Sequence, residues 1–455
     1  MVQQEASQAG FPAALPAALR DNDQQTISRL TAEIKPADLA DLVHALAPDE
    51  LDIALLMALP LLQRAEVFGY LALIEQAAIA ERLPLPALVE LVTEMPADDR
   101  ADLVKQLHET TRHHLFRLLA QEEREDLRRL ASYHEGSAGA VMTSDYASLP
   151  SGIGIAAALD ILRDTAPDKE TIYQCYVVDP QHRLLGTVSL KELILAPPLK
   201  SVDQLMMRDV ICLNVNDDQE EAARLISRYD LLALPIVDQD ERLVGIITYD
   251  DAMDVAEAEA TEDIHKGATV GRLETPLRDA SLRDLYRKRV GWLVVLVFAN
   301  IFTGAGITFF EDVIAAHMSL LFFLPLLVAS AGNAGAQSST LMVRGLATGD
   351  VSGRDWLRLL GREALVAGAL GLTMALAVMA VGYLRAGFDI AMVVASTMIL
   401  VVMIGSLVGM ALPFLLARLK IDPAAASTPL ITTIADVGGV LIYFLIATAV
   451  LGLAV

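Results

Sequence analysis

The sequence predicts a multidomain membrane protein with three parts in order: an all-α N-terminal domain, an α/β tandem pair, and a five-helix α transmembrane domain. Three observations carry that reading. Proline-punctuated helical periodicity fills residues 36–131, a self-similar stretch with β-branched runs fills 139–255, and apolar runs long enough to cross a bilayer are confined to 290–455. The expected boundaries are 1–135, 136–258, a connecting helix at 259–289, and 290–455.

In the first part, apolar residues recur at spacings of three and four between Pro36, Pro48, Pro60, Pro84, Pro86 and Pro96. PADLADLV at 36–43 and PADDRADLV at 96–104 look like copies of one unit, although proline followed by an acid is also a common helix start. Short helices stacked into a small right-angled or superhelical array satisfy both features.

In the second part, YVVDPQHRLLGTVSLKEL at 176–193 aligns without gaps to PIVDQDERLVGIITYDDA at 235–252. Each copy reads as a strand, a turn at Asp179 or Asp238, a second strand ending at Gly186 or Gly245, and a helix capped by Ser189 or Thr248. An amphipathic helix precedes each, at 154–163 and 218–228, and a Met-containing start precedes that, AVMTSDYASLP and LMMRDVICLNV. These residues resemble a tandem pair of CBS domains, a module that pairs back to back and often senses nucleotides or ions.

Charge divides the chain as sharply as pattern does. The net charge is −23, and the first 289 residues hold 50 of the 58 acidic and 28 of the 35 basic residues, leaving about −1 for the rest. So acidic a soluble part repels nucleic acid and anionic membrane surfaces and collects cations, so metal ions are expected partners and nucleic acid is not. Cys175 and Cys212 are too few for a disulfide framework and read as packing residues in a reducing cytosol. The polar, Gln-rich start lacks a signal-peptide pattern, which places the soluble half in the cytoplasm. With no nucleophile-base pair, phosphate loop or zinc motif, catalysis is not expected.

Seven of the fourteen residues from 250 to 263 are acidic: Asp250, Asp251, Asp254, Glu257, Glu259, Glu262 and Asp263. On a helix several are like-charge neighbours, each pair costing a few tenths of a kcal/mol, and a divalent cation would reverse that sign. The simpler reading is a solvated linker helix. The helix is expected to continue to Arg289, where Arg283, Arg287, Lys288 and Arg289 form a basic collar. Five spans follow, near 290–310, 319–343, 361–384, 391–417 and 428–454. With the N-terminus inside, the inner flanks hold that collar, then Arg344, Arg354, Arg358 and Arg362, then Arg418 and Lys420, against Arg385 alone outside. That bias predicts a multi-pass protein of the inner (plasma) membrane with its C-terminus outside.

Span five carries one carboxylate, Asp436, inside an otherwise uncharged run at 428–455. An acid at mid-bilayer depth costs about 2.5–3.5 kcal/mol, so it is expected to face a bundle interior and to mark an ion or proton path. Thr432, Asp436, Gly439 and Tyr443 follow helical spacing and form an expected polar stripe. Span two is rich in small and polar residues: Asn333 and Gln337 share a face with Ala329 and Leu341, while Gly332 and Gly335 permit close packing. No basic residue lies in a span centre to neutralise Asp436. Two copies facing one another across a two-fold axis would suit a dication, and a wide ring of oxygens holding a hydrated ion fits Mg²⁺. Ca²⁺, Mn²⁺ or a proton relay stay open on this chemistry, whereas the lack of Cys and His in the span centres argues against soft metals.

AGNAGAQSSTLMVRGLATGD at 331–350, LPFLLARLKIDPAAASTPLITTIADVGGVLIYF at 412–444 and EAEATEDIHK at 257–266, behind an acidic helical domain and a CBS pair, resemble the MgtE magnesium channels. The resemblance implies a homodimeric, Mg²⁺-selective channel in the lipid bilayer, with a pore lined by spans two and five. Asp436 matches the family's pore carboxylate, Thr432 the position whose carbonyl joins that site, and Asn333 the pore-lining glycine-asparagine motif. It further implies regulatory Mg²⁺ at Asp251, Asp254, Glu259, Glu262 and Asp263, at Glu220 and Asp230, at Asp422, and at Asp98 and Asp99, with the helix near 264–289 as a plug. ATP at the CBS pair is a further expected ligand, since Gly245 and Thr248 before Asp251 fit a nucleotide-contact pattern. The competing readings are a proton-coupled secondary carrier for a divalent metal and a receptor that reads adenine nucleotides.

Overall fold

The computed structural model describes residues 14–47, 50–271, 273, 277, 280–351 and 355–452; the polar start, Pro48 and Arg354 lie outside them. The chain forms two compact units, Met1–Ala256 and Glu257–Val455.

In the first unit, ten short helices among the described residues run from Leu15–Arg20 to Gln121–Leu130. Pro60, Pro84 and Pro96 each occupy an N-cap, whereas Pro36 is the first helical residue of Pro36–Leu46. A ring that fixes φ and removes an N–H ends one helix and starts the next, which explains the punctuation. The apolar faces, among them Leu39, Val43, Leu55, Leu91 and Leu103, are fully buried and share one core with Leu213, Leu234, Ile236 and Ile247 of the second repeat. Each such side chain contributes about 1.5–3 kcal/mol of burial.

Two three-stranded sheets follow. The first orders β1 (Tyr146–Pro150), β2 (Thr171–Val178) and β3 (Leu184–Ser189); the second orders β4 (Leu213–Asn214), β5 (Ala233–Val237) and β6 (Leu243–Thr248). In each, the first pair is parallel and the second antiparallel, and the amphipathic helices Ile155–Thr165 and Gln219–Tyr229 make the crossovers. The turns at Asp179 and Asp238 form as expected: each carboxylate accepts the N–H groups two and four residues on, at 2.8 and 2.8 Å for Asp179 and 2.9 and 2.9 Å for Asp238.

The second strands do not end at Gly186 and Gly245 but run on to Ser189 and Thr248. The glycines mark close approach instead, because an added Cβ would lie 2.8 Å from the Met207 carbonyl or 2.8 Å from the Thr143 carbonyl. Those contacts reveal an exchange. The start of the first repeat pairs with the second sheet (Thr143 with Ile246) and the start of the second pairs with the first sheet (Thr187 with Met207). The two repeats therefore form one body.

In the second unit the expected continuous helix to Arg289 is absent. One helix, Tyr249–Gly267, enters the unit and stops; Thr269 takes a left-handed φ of 58° and the Val270 N–H turns back to the His265 carbonyl at 2.8 Å. A new helix, Leu282–Phe309, begins at Ser281, whose hydroxyl accepts the Asp284 N–H at 3.1 Å. The β-branched Thr269 and Val270 and the glycine at 271 all disfavour helix. The basic collar thus forms the first turns of span one.

The five spans are Leu282–Phe309, Leu320–Ala347, Trp356–Ala386, Phe388–Arg418 and Thr428–Leu451, each long and apolar enough to cross a membrane. Spans two and four meet backbone to backbone: a Cβ added at Gly405 would lie 2.4 Å from the Ala331 carbonyl oxygen, and one at Gly409 would lie 2.0 Å from that of Gly335. Two small-residue pairs four apart make that seam possible.

Candidate functional site

One face of span two is committed to this packing, with Ala331, Gly332 and Gly335 buried. The other face is not. Ala329, Asn333, Gln337 and Thr340 are exposed on the single chain, although they lie mid-span. Amide side chains cannot face hydrocarbon without losing their hydrogen bonds, so this face requires water or a second protein surface.

Span five runs beside it in the opposite sense. A Cβ at Gly332 would lie 3.0 Å from the Thr432 methyl group, and one at Gly439 would lie 3.5 Å from Val328. Asp436 lies between those two contacts, half-buried, about one helical turn from the level of Asn333. Thr432 donates its hydroxyl to the Thr428 carbonyl at 2.9 Å, and its methyl, hydroxyl and Cα are the atoms that Gly332 approaches. The expected polar stripe is shorter than predicted. Tyr443 is fully buried and donates to the Leu320 carbonyl at 3.0 Å, so it is a packing residue. Glu363 of span three accepts a 2.5 Å hydrogen bond from Ser338 of span two.

The first unit gathers a second set of acids. Asp98 and Asp99 open the helix Ala97–Gln106, Glu170 leads into β2, and Asp250, Asp251 and Asp254 open Tyr249–Gly267. Burial and then the charges of Asp251 and Asp99 push Asp98 well above the usual carboxylate range, and one of its oxygens is buried without a hydrogen-bond partner. Burial, then Asp251, raises Asp99 to about 6; burial, then Asp251 and Asp250, raises Glu170 to about 7. Asp251 is also raised, burial outweighing its hydrogen bond from Thr248. Asp98, Asp99, Glu170 and Asp251 therefore resist ionising first because they are buried and second because acidic neighbours surround them, and a divalent cation would cancel that second effect. Glu170 was not a sequence candidate, and no motif or spacing flags it. Thr248 has a single hydroxyl proton, with the Asp250 and Asp251 carboxylates both at 2.5 Å, rather than capping as Ser189 does.

A third set lies in the second unit. Lys266 reaches Glu262 at 2.6 Å and Asp422 at 2.5 Å, and burial together with the Asp422 charge raises Asp263. Glu220 and Asp230 do not share a site. They stand at opposite ends of the helix Gln219–Tyr229, about 15 Å apart, where Asp230 serves as a left-handed C-cap. Among the described residues, no three His, Cys, Asp or Glu side chains are arranged as a formed metal shell. A shallow cavity of about 410 Å³ at Ser148, Asp179 and His182 lies on the first repeat, lined by none of these acids.

Known proteins match this order of parts. Residues 34–136 match the MgtE intracellular N domain, 138–198 and 202–258 match CBS domains, and 324–446 match the MgtE divalent cation transporter family. The chain is 43% identical over 321 residues to the magnesium transporter MgtE of Thermus thermophilus, covering 70% of this chain and 71% of that one. It is 38% identical to the magnesium transporter MgtE of Bacillus subtilis, covering 70% of each. Among solved structures, the cytosolic domain of the Mg²⁺ channel MgtE in complex with ATP aligns with a TM-score of 0.50 at 38% identity, over 53% of this chain and 98% of that one. The soluble part of a magnesium transporter also aligns with a TM-score of 0.50, at 26% identity, over 57% and 100%.

Proposed function

The chain belongs to the MgtE family of magnesium transporters, and from that premise we propose that it is a homodimeric Mg²⁺ channel closed by Mg²⁺ on its cytosolic acids. One observation carries the pore: Asp436 stands half-buried beside an outward polar face of span two, in a bundle with no basic residue in any span centre. A second copy across a two-fold axis would cover Asn333 and Gln337 and bring two Asp436 carboxylates to one path, with the Thr432 carbonyls near them. A hydrated Mg²⁺ as cargo neutralises such a pair without being stripped of all its water.

Gating follows from the raised carboxyls. At low internal Mg²⁺ the acids at Asp98, Asp99, Asp251 and Asp254 repel; bound Mg²⁺ draws them together and favours the closed form. ATP as a ligand of the CBS pair is supported by the related cytosolic structure that holds it. The N-terminus is then cytoplasmic and the C-terminus outside.

The test is Mg²⁺ flux in proteoliposomes. Asp436→Ala should abolish uptake while the protein keeps its elution volume in detergent, and normal uptake would sink the pore assignment. A secondary carrier is distinguished in the same vesicles, since only a carrier moves protons in fixed ratio to Mg²⁺.

A further inference from the structure

Lys266 lies at the end of the helix Tyr249–Gly267, and its ammonium bridges two acids: Glu262 one turn back at 2.6 Å, and Asp422 far along the chain at 2.5 Å. Asp422 is not a loose partner. Its other oxygen accepts the Ala424 N–H at 2.8 Å and caps the short turn Pro423–Ala425, in which Ala424 is buried. That turn leads into span five through Ser427, the N-cap of Thr428–Leu451, and its Ala426 carbonyl accepts the buried Ser339 hydroxyl of span two at 3.1 Å. A pull on Asp422 is thus a pull on the start of span five and, through Ser339, on span two, which carries the exposed polar face. The pair is partly exposed: the side chains are 37% accessible for Lys266 and 39% for Asp422, and Asp422 is an exposed residue. Burial alone would lower the Lys266 pKa, but the hydrogen bonds to Asp422 and Glu262 outweigh it and hold the ammonium charged.

The geometry points to Lys266 as a tethered cation that latches the connecting helix onto the turn before span five. It occupies carboxylates expected to meet Mg²⁺, so it holds part of the closed arrangement when no divalent ion is present. This rests on the reading of the cytosolic acids as the gate of a pore formed by spans two and five. A fixed ammonium supplies one charge at any Mg²⁺ concentration, whereas bound Mg²⁺ supplies two only when the ion is abundant. The latch therefore sets the leak at low Mg²⁺, and the ion sets closure at high Mg²⁺.

Two measurements on the full chain decide it. In proteoliposomes with low Mg²⁺ on the cytosolic side, Lys266→Gln should raise flux about two- to fivefold, the range that one partly exposed ion pair supplies, while Lys266→Arg stays near wild type. Closure at high Mg²⁺ should persist in both, because Glu262, Asp263 and Asp422 are intact. In Mg²⁺-free detergent, amide hydrogen exchange at Ala424, Ala425 and Ala426 should speed up in Lys266→Gln, since the turn loses its anchor. Unchanged low-Mg²⁺ flux, unchanged exchange, or an Arg variant as leaky as the Gln variant overturns the latch. A wild-type flux indifferent to internal Mg²⁺ instead removes the gating reading, and exchange together with low-Mg²⁺ flux still decides the latch.

Discussion

Asp99 and Glu170 show how single residues report their neighbours. Their folded pKa values, about 6 and about 7, lie above those of an unfolded chain, so the folded state binds protons more tightly. Stability from these groups is therefore fully present below about pH 4 and is lost as pH rises through 6 to 7. The metal-free chain should melt at a higher temperature at pH 5.5 than at pH 7.5, and Mg²⁺ should raise the melting temperature far more at pH 7.5. Asp99→Asn should stabilise the metal-free protein at pH 7.5 by about 1–3 kcal/mol and blunt its response to Mg²⁺. Equal melting of wild type and variant across that pH range removes the repulsive cluster. At this scale the sequence was an uneven guide: Asp436 stands out because a charge in an apolar run is locally anomalous, whereas nothing near Glu170 marks it among so many acids.

Elements show the opposite balance. Five spans, two repeats and the proline-started helices were all legible, because period and punctuation are properties of short windows. A local signal can have a second cause. Gly186 and Gly245 read locally as strand ends and are sites of close approach, and the acidic run reads as one helix to Arg289 but breaks at Thr269. The glycines of the membrane part offer a direct check. Gly409→Ala should destabilise the bundle by about 1–3 kcal/mol or more, since its Cβ would overlap the Gly335 carbonyl, while Gly368→Ala, with nothing within 4 Å, should be near neutral. Thermal stability in detergent separates the two, and equal losses would remove the seam between spans two and four.

At the scale of the whole molecule, acids on three separate stretches of the first unit act on one another only because its short helices and repeats fold together. Neutralising Asp251, Asp254 and Glu259 together should leave uptake intact and raise the internal Mg²⁺ needed for half-closure by about tenfold or more, the scale of a typical coupling between sites. Flux measured against internal Mg²⁺ checks this, and an unshifted midpoint sinks the sensor role. Span one has no buried residue in the single chain, as expected of a helix that meets lipid or a second copy, and cross-linking in membranes distinguishes these.

The sequence by itself determined the parts and their order, the helices long and apolar enough to cross a membrane, the single mid-span acid and the acidic character of the first 289 residues. These depend on composition and on spacings within a turn or two, which fold and sequence share. Only the tertiary structure decided that Asp98, Asp99 and Glu170 meet Asp251, that Tyr443 packs instead of lining a stripe, that the repeats exchange their starts, and that Lys266 reaches Asp422. The physical reason is range: a hydrophobic period is encoded along one helix, whereas the field at a buried carboxylate is set by charges from distant parts of the chain.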